Sequence, residues 1–531
     1  MRHRSGRTHI MSMSGKHDFP LPEFITRFHL ESFFMLAALL AAGFLFFWKC
    51  LGYGITYLDD YALLTQYKPL LSSPSNISQF FTTTLFPEAS AFYRPVLLLS
   101  FLWDFTAGEG TYFYFHLTNL LLHILAAFSL YLFLKEICPR NPRIFLTFLY
   151  MFCPLLVSGA AWIPGRNDSL LAIFVLTSFY FTTLFTESES KKYLAAVFLF
   201  SLAAMFTKEN ASMLIIAVPW LVWCLDNEKS MQSDYRRKIL LAFAAVLPAF
   251  LVWYFMRAAA RPFSGEIQVA AFFNSSLYIP HLFGKMFFPF LPEPAYELHE
   301  ISIGYAFIIP AVILIFYFFV SERENSSIIV FGLSLFFMFG ATAFLSEKPV
   351  TPGRAYWLEH RYYLPYAGLL IAMSQIMIPI CNKKCRTYFM SAGFAVLAIS
   401  AVVSFCYMPV FRDKASFWTK VAERQEYRDN ALAFTGDAYF DRWQINNDND
   451  SLTKAMAAYS EAEQIKNKKG KNHMEPKQMY NYGIVCIASG DIEKAEMIYN
   501  IISQERPPEY AAALKEHIDR KKAEQSVRST K

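Results

Sequence analysis

Long apolar segments recur from Leu30 to Pro409, separated by short polar loops, and this recurrence constrains the chain more than any other feature. About 20 apolar residues suffice to cross a bilayer as a helix. Inside lipid, only helices and closed barrels satisfy their own backbone hydrogen bonds. The runs have helical length, so the predicted class is all-α: a polytopic helical membrane domain of about 11 transmembrane helices, then a small α-helical domain. Charged residues are only 17% of the 531, against roughly 25% in a soluble chain. The predicted divisions are a cytoplasmic N-terminal tail over 1–29, a transmembrane domain over 30–408 and an extracytoplasmic helical domain over 409–531.

Lys and Arg gather before the first run (Arg2, Arg4, Arg7, Lys16, Arg27) and in alternate loops, at Lys135/Arg140/Arg143, Lys191/Lys192, Lys229/Arg236/Arg237/Lys238, Arg323 and Lys383/Lys384/Arg386. With these loops cytoplasmic, spans alternate near 30–51, 113–135, 144–163, 169–186, 193–207, 211–225, 239–257, 302–320, 327–345, 362–381 and 387–408. The segment 271–291, with Pro280, Lys285 and Pro289, breaks the alternation and reads as re-entrant or surface-lying. The first outer loop, 52–112, and the loop near 346–361 then lie outside with everything after Pro409. The net charge of +6 is therefore a topology signal and implies no nucleic-acid partner. The basic stretch before Leu30 resembles a signal peptide, but the apolar run is too long and lacks a small-residue cleavage site, which predicts a retained helix. The 8 Cys are scattered, and the closest pair, Cys381 and Cys385, has no His at metal-ligand spacing, so all are expected as free thiols with no metal site.

Beyond Pro409 the chain turns polar. Met479–Tyr499 fits a tetratricopeptide repeat: Tyr482 and Gly483 as the packed large and small residues, Gly490-Asp491 as the turn, Ala495 and Tyr499 on the second helix, Pro507 closing the unit. Gly436, Tyr439, Ala455, Tyr459 and Ala462 fit an earlier copy if 446–450 is a turn insertion. A generic helical hairpin fits the same residues. Two repeats fall short of the roughly three that a free-standing array needs, so this unit is expected to pack on the membrane domain or a partner.

Chemistry gathers at the outer boundary. Asp59 and Asp60 stand side by side in Tyr57-Leu-Asp-Asp-Tyr61, just past the first span. Ionised groups near lipid are costly and usually functional, and a carboxylate can take the proton from an attacking hydroxyl. Outer-side cations are few: Arg94 in Phe92-Tyr-Arg-Pro, Arg166 in Pro164-Gly-Arg-Asn-Asp168, Lys208 in Phe206-Thr-Lys-Glu-Asn210, and Arg361 in Trp357-Leu-Glu-His-Arg-Tyr-Tyr-Leu-Pro365. Cations at headgroup depth suit a lipid-borne phosphate. Each also has a plainer reading. A boundary Arg snorkels, Asp168 can cap a helix, Lys208-Glu209 can satisfy itself, and His360 beside Glu359 reads as structural. His116, Asn119 and His123 form a polar stripe at helical spacing, where interhelical packing is the default.

Taken in order, these pieces resemble the C superfamily (GT-C) of integral-membrane glycosyltransferases, nearest to the transmembrane O-mannosyltransferases with tetratricopeptide repeats. The likeness rests on Asp59-Asp60, Tyr93-Arg94-Pro95, His116-Leu-Thr-Asn-Leu-Leu-Leu-His123, Gly165-Arg166-Asn167-Asp168, Thr207-Lys208-Glu209 and Glu359-His-Arg-Tyr-Tyr-Leu-Pro365. It departs at Asn167, where the family usually has a small residue, and at the short repeat segment. The resemblance implies a polyprenyl-phosphate-linked sugar as donor, mannose among the candidates. It implies an inverting transfer on the non-cytoplasmic face to a hydroxyl of protein Ser/Thr, a glycan or a lipid, with no cofactor and no divalent metal. Asp59 and Asp60 would be catalytic. Arg94, Arg166, Asp168, Lys208, Glu209, Glu359, His360, Arg361 and Tyr363 would bind donor phosphate and sugar. The membrane would be a bacterial inner membrane or the endoplasmic reticulum, and the repeats would dock an acceptor.

The residues fit this reading independently: there is no P-loop and no dinucleotide-binding glycine fingerprint. A transporter or flippase of lipid-linked sugars is the alternative, but such folds usually show inverted repeats and midplane polar groups, and no matching halves are seen. A scaffold anchored by its membrane part would need neither so many spans nor the boundary acids.

Overall fold

The computed structural model describes residues 21–85, 92–226, 235–260, 279–294, 296–297, 312, 326–340, 356–357, 359–381, 386–423, 428–468, 474–504 and 508–529. Its membrane part contains α1 (Leu21–Phe47), α2 (Pro95–Gly108), α3 (Tyr112–Ile137), α4 (Arg140–Met151), α5 (Val157–Ala161), α6 (Arg166–Ser188), α7 (Lys191–Thr207), α8 (Leu214–Asp226) and α9 (Tyr235–Ala260). Then come α10 (Ile279–Phe287), α11 (Ser326–Leu335), α12 (Tyr363–Cys381) and α13 (Arg386–Tyr407). The polar C-terminal part is α14 (Lys414–Ala422), α15 (Arg428–Asn446), α16 (Asn449–Lys468), α17 (Pro476–Ser489), α18 (Ile492–Ile502) and α19 (Glu509–Ser529). A two-residue antiparallel bridge, Tyr296–Glu297 with Tyr356–Trp357, is the one departure from helix among the described elements.

Six described helices are long and apolar enough to cross a membrane, and a bent pair would make a seventh. That pair corrects the expected continuous span at 144–163. Arg140–Met151 and Pro154–Ala161 are bent by 53°, because Pro154 has no N–H to donate and its ring clashes with the carbonyl one turn back. The expected span 302–320 lies outside the described residues apart from residue 312. Of the irregular segment 271–291, the amphipathic helix α10 is described and 271–278 are not. The loop near 346–361 is described only at 356–357 and 359–361.

α3 is the central helix. Leu120, Ile124, Ala127, Leu130 and Leu134 are fully buried in the main core. In lipid, tight association depends on van der Waals fit and small residues, and α11 and α12 meet that way. A Cβ added to Gly332 would come 2.5 Å from the Gly368 carbonyl oxygen, so this crossing tolerates only glycine. The polar stripe of α3 faces neighbouring backbone. The His116 ring bonds the Gly54 carbonyl at 3.2 Å, the His123 ring bonds the Met151 carbonyl at 2.9 Å and the Tyr363 hydroxyl, and Asn119 donates to the carbonyl of Trp162 at 2.7 Å.

The C-terminal helices form antiparallel hairpins. Asn447 turns the first at positive φ, and Asp448 caps α16 through the Ser451 amide. Gly490, at φ +88°, turns the second, and Asp491 caps α18. Asp437 ties α15 to α16 and α17, accepting from Tyr459 at 2.6 Å, Asn481 at 2.8 Å and Gln478 at 3.3 Å. The six cysteines whose side chains are described are free thiols.

Candidate active site

After α1 the chain makes a turn at Trp48–Gly52, runs extended, and enters a single helical turn at Asp59–Tyr61. Tyr57 holds a left-handed backbone, φ +62°, a strain that non-glycine residues keep only where their surroundings enforce it. The two acids of this loop have different surroundings. Asp60 is buried and accepts four bonds from its own loop: Thr56 N at 2.6 Å, Thr56 Oγ1 at 2.9 Å, and the Leu58 and Tyr61 amides at 2.9 Å each. Burial pushes its carboxyl up to about 6, although those bonds pull the other way. In this geometry Asp60 shapes the loop. Asp59 is reached by solvent, yet desolvation by the surrounding protein raises its carboxyl above the ordinary value, opposed by the charges of Arg94 and Arg361.

Those two cations belong to a cluster assembled from three distant segments. Arg94 precedes α2, and its Nε and Nη2 bond Glu209 Oε2 at 3.1 and 3.0 Å, while the Tyr93 amide bonds Glu209 Oε1 at 2.7 Å. With its amide oriented to satisfy both neighbours, Asn167 accepts from Arg94 Nη1 at 2.8 Å and donates to the Thr207 carbonyl at 3.0 Å. This is the position where the resembled family has a small residue, and here the longer side chain helps hold Arg94. Lys208 pairs with Asp168 Oδ1 at 2.7 Å. The other Asp168 oxygen is buried with no hydrogen-bond partner among the described residues, and His360 Nε2 lies 3.7 Å from it. Burial, reinforced by Lys208, Arg361 and Arg94, holds the His360 imidazole well below its usual range, so it is neutral. Arg361, half-buried beside it, extends its charge to Asp59, Lys208 and His360.

Asp59, Arg94, Asp168, Lys208, Glu209, His360 and Arg361 thus share one neighbourhood. Arg166 lies apart from it. Fully buried, it forms an ion pair with Asp104 and donates to Asn119 Oδ1 at 2.8 Å, the Phe115 carbonyl at 2.7 Å and the Ser100 carbonyl at 3.2 Å. Four of its five N–H donors are spent in joining α2, α3 and α6, and the side chain is fully buried. Tyr363 also turns away, its hydroxyl on His123 inside the bundle. Glu359 is buried against Lys285 of α10 at 2.9 Å, accepts from Tyr407 at 3.2 Å and the Glu293 amide at 2.8 Å, and is pushed up to about 7 by desolvation. It fastens α10 and α13 behind His360. Thr56, Trp162 and Asp104 shape the site or its supports without having been singled out for chemistry. Trp162 stands just before the Pro164-Gly-Arg-Asn-Asp168 motif, whereas Asp104 lies 62 residues from its partner and carries no local signal.

Residues 105–255 match the sequence model of the dolichyl-phosphate-mannose-protein mannosyltransferase family. Comparison with curated proteins gives no match. With the apolar helices, the family match indicates an integral-membrane glycosyltransferase of the GT-C type, mannosyltransferase-like.

Proposed function

We propose that the chain transfers a sugar from a polyprenyl-phosphate-linked donor to a hydroxyl acceptor on the non-cytoplasmic face of its membrane. The observation that carries this reading is the meeting of Asp59 with Arg94 and Arg361, with Lys208 adjoining. The acceptor O–H gives its proton to Asp59. Its oxygen forms a bond to the anomeric carbon as the bond from that carbon to the phosphate oxygen breaks. The bonding pair leaves on the phosphate, which gains a charge as the diester becomes a monoester. Preorganised cations facing that developing charge lower the barrier. Arg361, Arg94 and Lys208 are the candidates for this contact, since their charges reach one another and Asp59 in the same neighbourhood. Attack opposite the leaving phosphate inverts the anomeric centre.

The acid loop, the cations and the C-terminal helices lie at one end of the bundle, and the Lys/Arg bias assigns that end to the outside. On this reading the repeat-like hairpins would dock the acceptor, protein or glycan. Purified protein incubated with polyprenyl-phosphate sugars and a panel of acceptors, with products read by mass spectrometry, tests the reading. Glycosylated acceptor formed from a lipid-linked donor supports it. Transfer only from nucleotide sugars rejects it. Activity is expected to survive a chelator, since the pair is cast as base and loop organiser.

A further inference from the structure

The helical unit after the last span reaches back to the loop that carries the acids, and it does so at three places between Gly54 and Tyr57. The Arg412 carbonyl accepts from the Gly54 amide at 2.8 Å. Trp418 Nε1, on α14, donates to the Thr56 carbonyl at 3.0 Å. Lys414 Nζ lies 4.4 Å from the centre of the Tyr57 ring, within range of a cation–π contact. Thr56 is the hub of the loop. Its amide and hydroxyl donate to Asp60 Oδ2, and its hydroxyl accepts from Trp162 Nε1 at 3.1 Å. Two tryptophans from distant parts of the chain therefore hold one threonine, which holds the buried acid next to Asp59.

Behind this bracket stands the first C-terminal hairpin. The Trp418 ring stacks on Phe434 of α15 at 4.3 Å, and Lys414 pairs with Asp441 of the same helix at 3.0 Å. The left-handed Tyr57 sits under Lys414, two residues before Asp59, where an enforcing neighbour is required.

We propose that Trp418 is a positioning residue for the Asp59–Asp60 loop, so that the C-terminal helical unit is an integral part of the active site and any displacement of α14–α15 is felt as a change in turnover. This rests on the proposed transferase reading, in which Asp59 is the base. The bracket itself is a matter of geometry.

The test is Trp418→Phe in the full-length chain. Phenylalanine keeps a ring against Phe434 and removes only the donor to Thr56. Amide hydrogen exchange at Gly54, Thr56, Leu58 and Tyr61, all hydrogen-bonded within the bracket, is expected to accelerate about tenfold. In the same protein, kcat is expected to fall about tenfold, equivalent to about 1.4 kcal/mol, with donor KM within about twofold of wild type. A residue that merely supported folding would lower the amount of active enzyme without loosening these four amides selectively. Lys414→Met, which keeps the stem and removes the charge over Tyr57, is expected to act in the same direction and carries the test if Trp418→Phe does not fold. Unchanged exchange at the four amides, or faster exchange with unchanged kcat, overturns the proposal. Selective acceleration in a chain whose wild type transfers no lipid-linked sugar supports the bracket and removes the transferase reading instead.

Discussion

Asp59 and Asp60 are neighbours in sequence, yet one is consumed by four bonds from its own loop while the other meets two arginines, so their substitutions are expected to act differently. Asp60→Asn must turn an NH₂ toward groups that are themselves donors, so it is expected to loosen the loop; faster amide exchange over 56–61 checks this. The pH dependence follows from the same surroundings. A base works only when deprotonated, so turnover is lost as pH falls through the carboxyl pKa. Desolvation raises the Asp59 carboxyl, so half-maximal kcat on the acid side is expected above the ordinary carboxylate range. His360, held neutral, contributes no limb. Arg361→Ala is expected to impair donor binding or turnover far more than stability, and Arg361→Lys to restore only part, because the planar fork is lost; donor titration alongside thermal unfolding separates the two effects. At this scale the shared boundary of Asp59, Arg94, Lys208 and Arg361 was legible from the sequence, and the structure brings the four into one neighbourhood. Arg166 carried the same signal, but its explanation, Asp104, lies on another helix and cannot be read from local spacing.

Helix boundaries followed hydropathy closely where a run was uninterrupted. The expected span 169–186 lies inside α6, Arg166–Ser188, and 239–257 inside α9, Tyr235–Ala260. Hydropathy averages over a window and is blind to one missing N–H, which is why the break at Pro154 was read as a continuous span. The break matters, because it frees the Trp162–Asp168 stretch to turn in toward Thr56 and the cation cluster. The Arg166–Asp104 pair then locks the start of α6 to α2 and α3. Removing one partner of a buried pair typically costs about 3–5 kcal/mol. Arg166→Ala is therefore expected to lower thermal stability by that order, while protein that remains folded keeps its donor KM. A donor KM raised more than tenfold in folded Arg166→Ala would return this residue to the phosphate site.

Across the whole molecule, segments far apart in sequence build one site: the first outer loop, the Lys208–Glu209 step, the approach to α12, and the helices after the last span. The order of the motifs made the first three legible as a set. The fourth was foreseen only as packing on the membrane domain or a partner, because a tryptophan 362 residues from its acceptor has no sequence signature. The central claim is that Asp59 accepts the proton in a transfer that releases polyprenyl phosphate. Its most direct measurement is the yield of glycosylated acceptor and free polyprenyl phosphate from purified wild-type and Asp59→Asn proteins, given the same polyprenyl-phosphate sugar and acceptor. The account predicts equal amounts of both products from the wild type, and a turnover lower by about 10²–10⁴-fold in correctly inserted Asp59→Asn, with donor affinity little changed. Near-normal turnover in Asp59→Asn would contradict it.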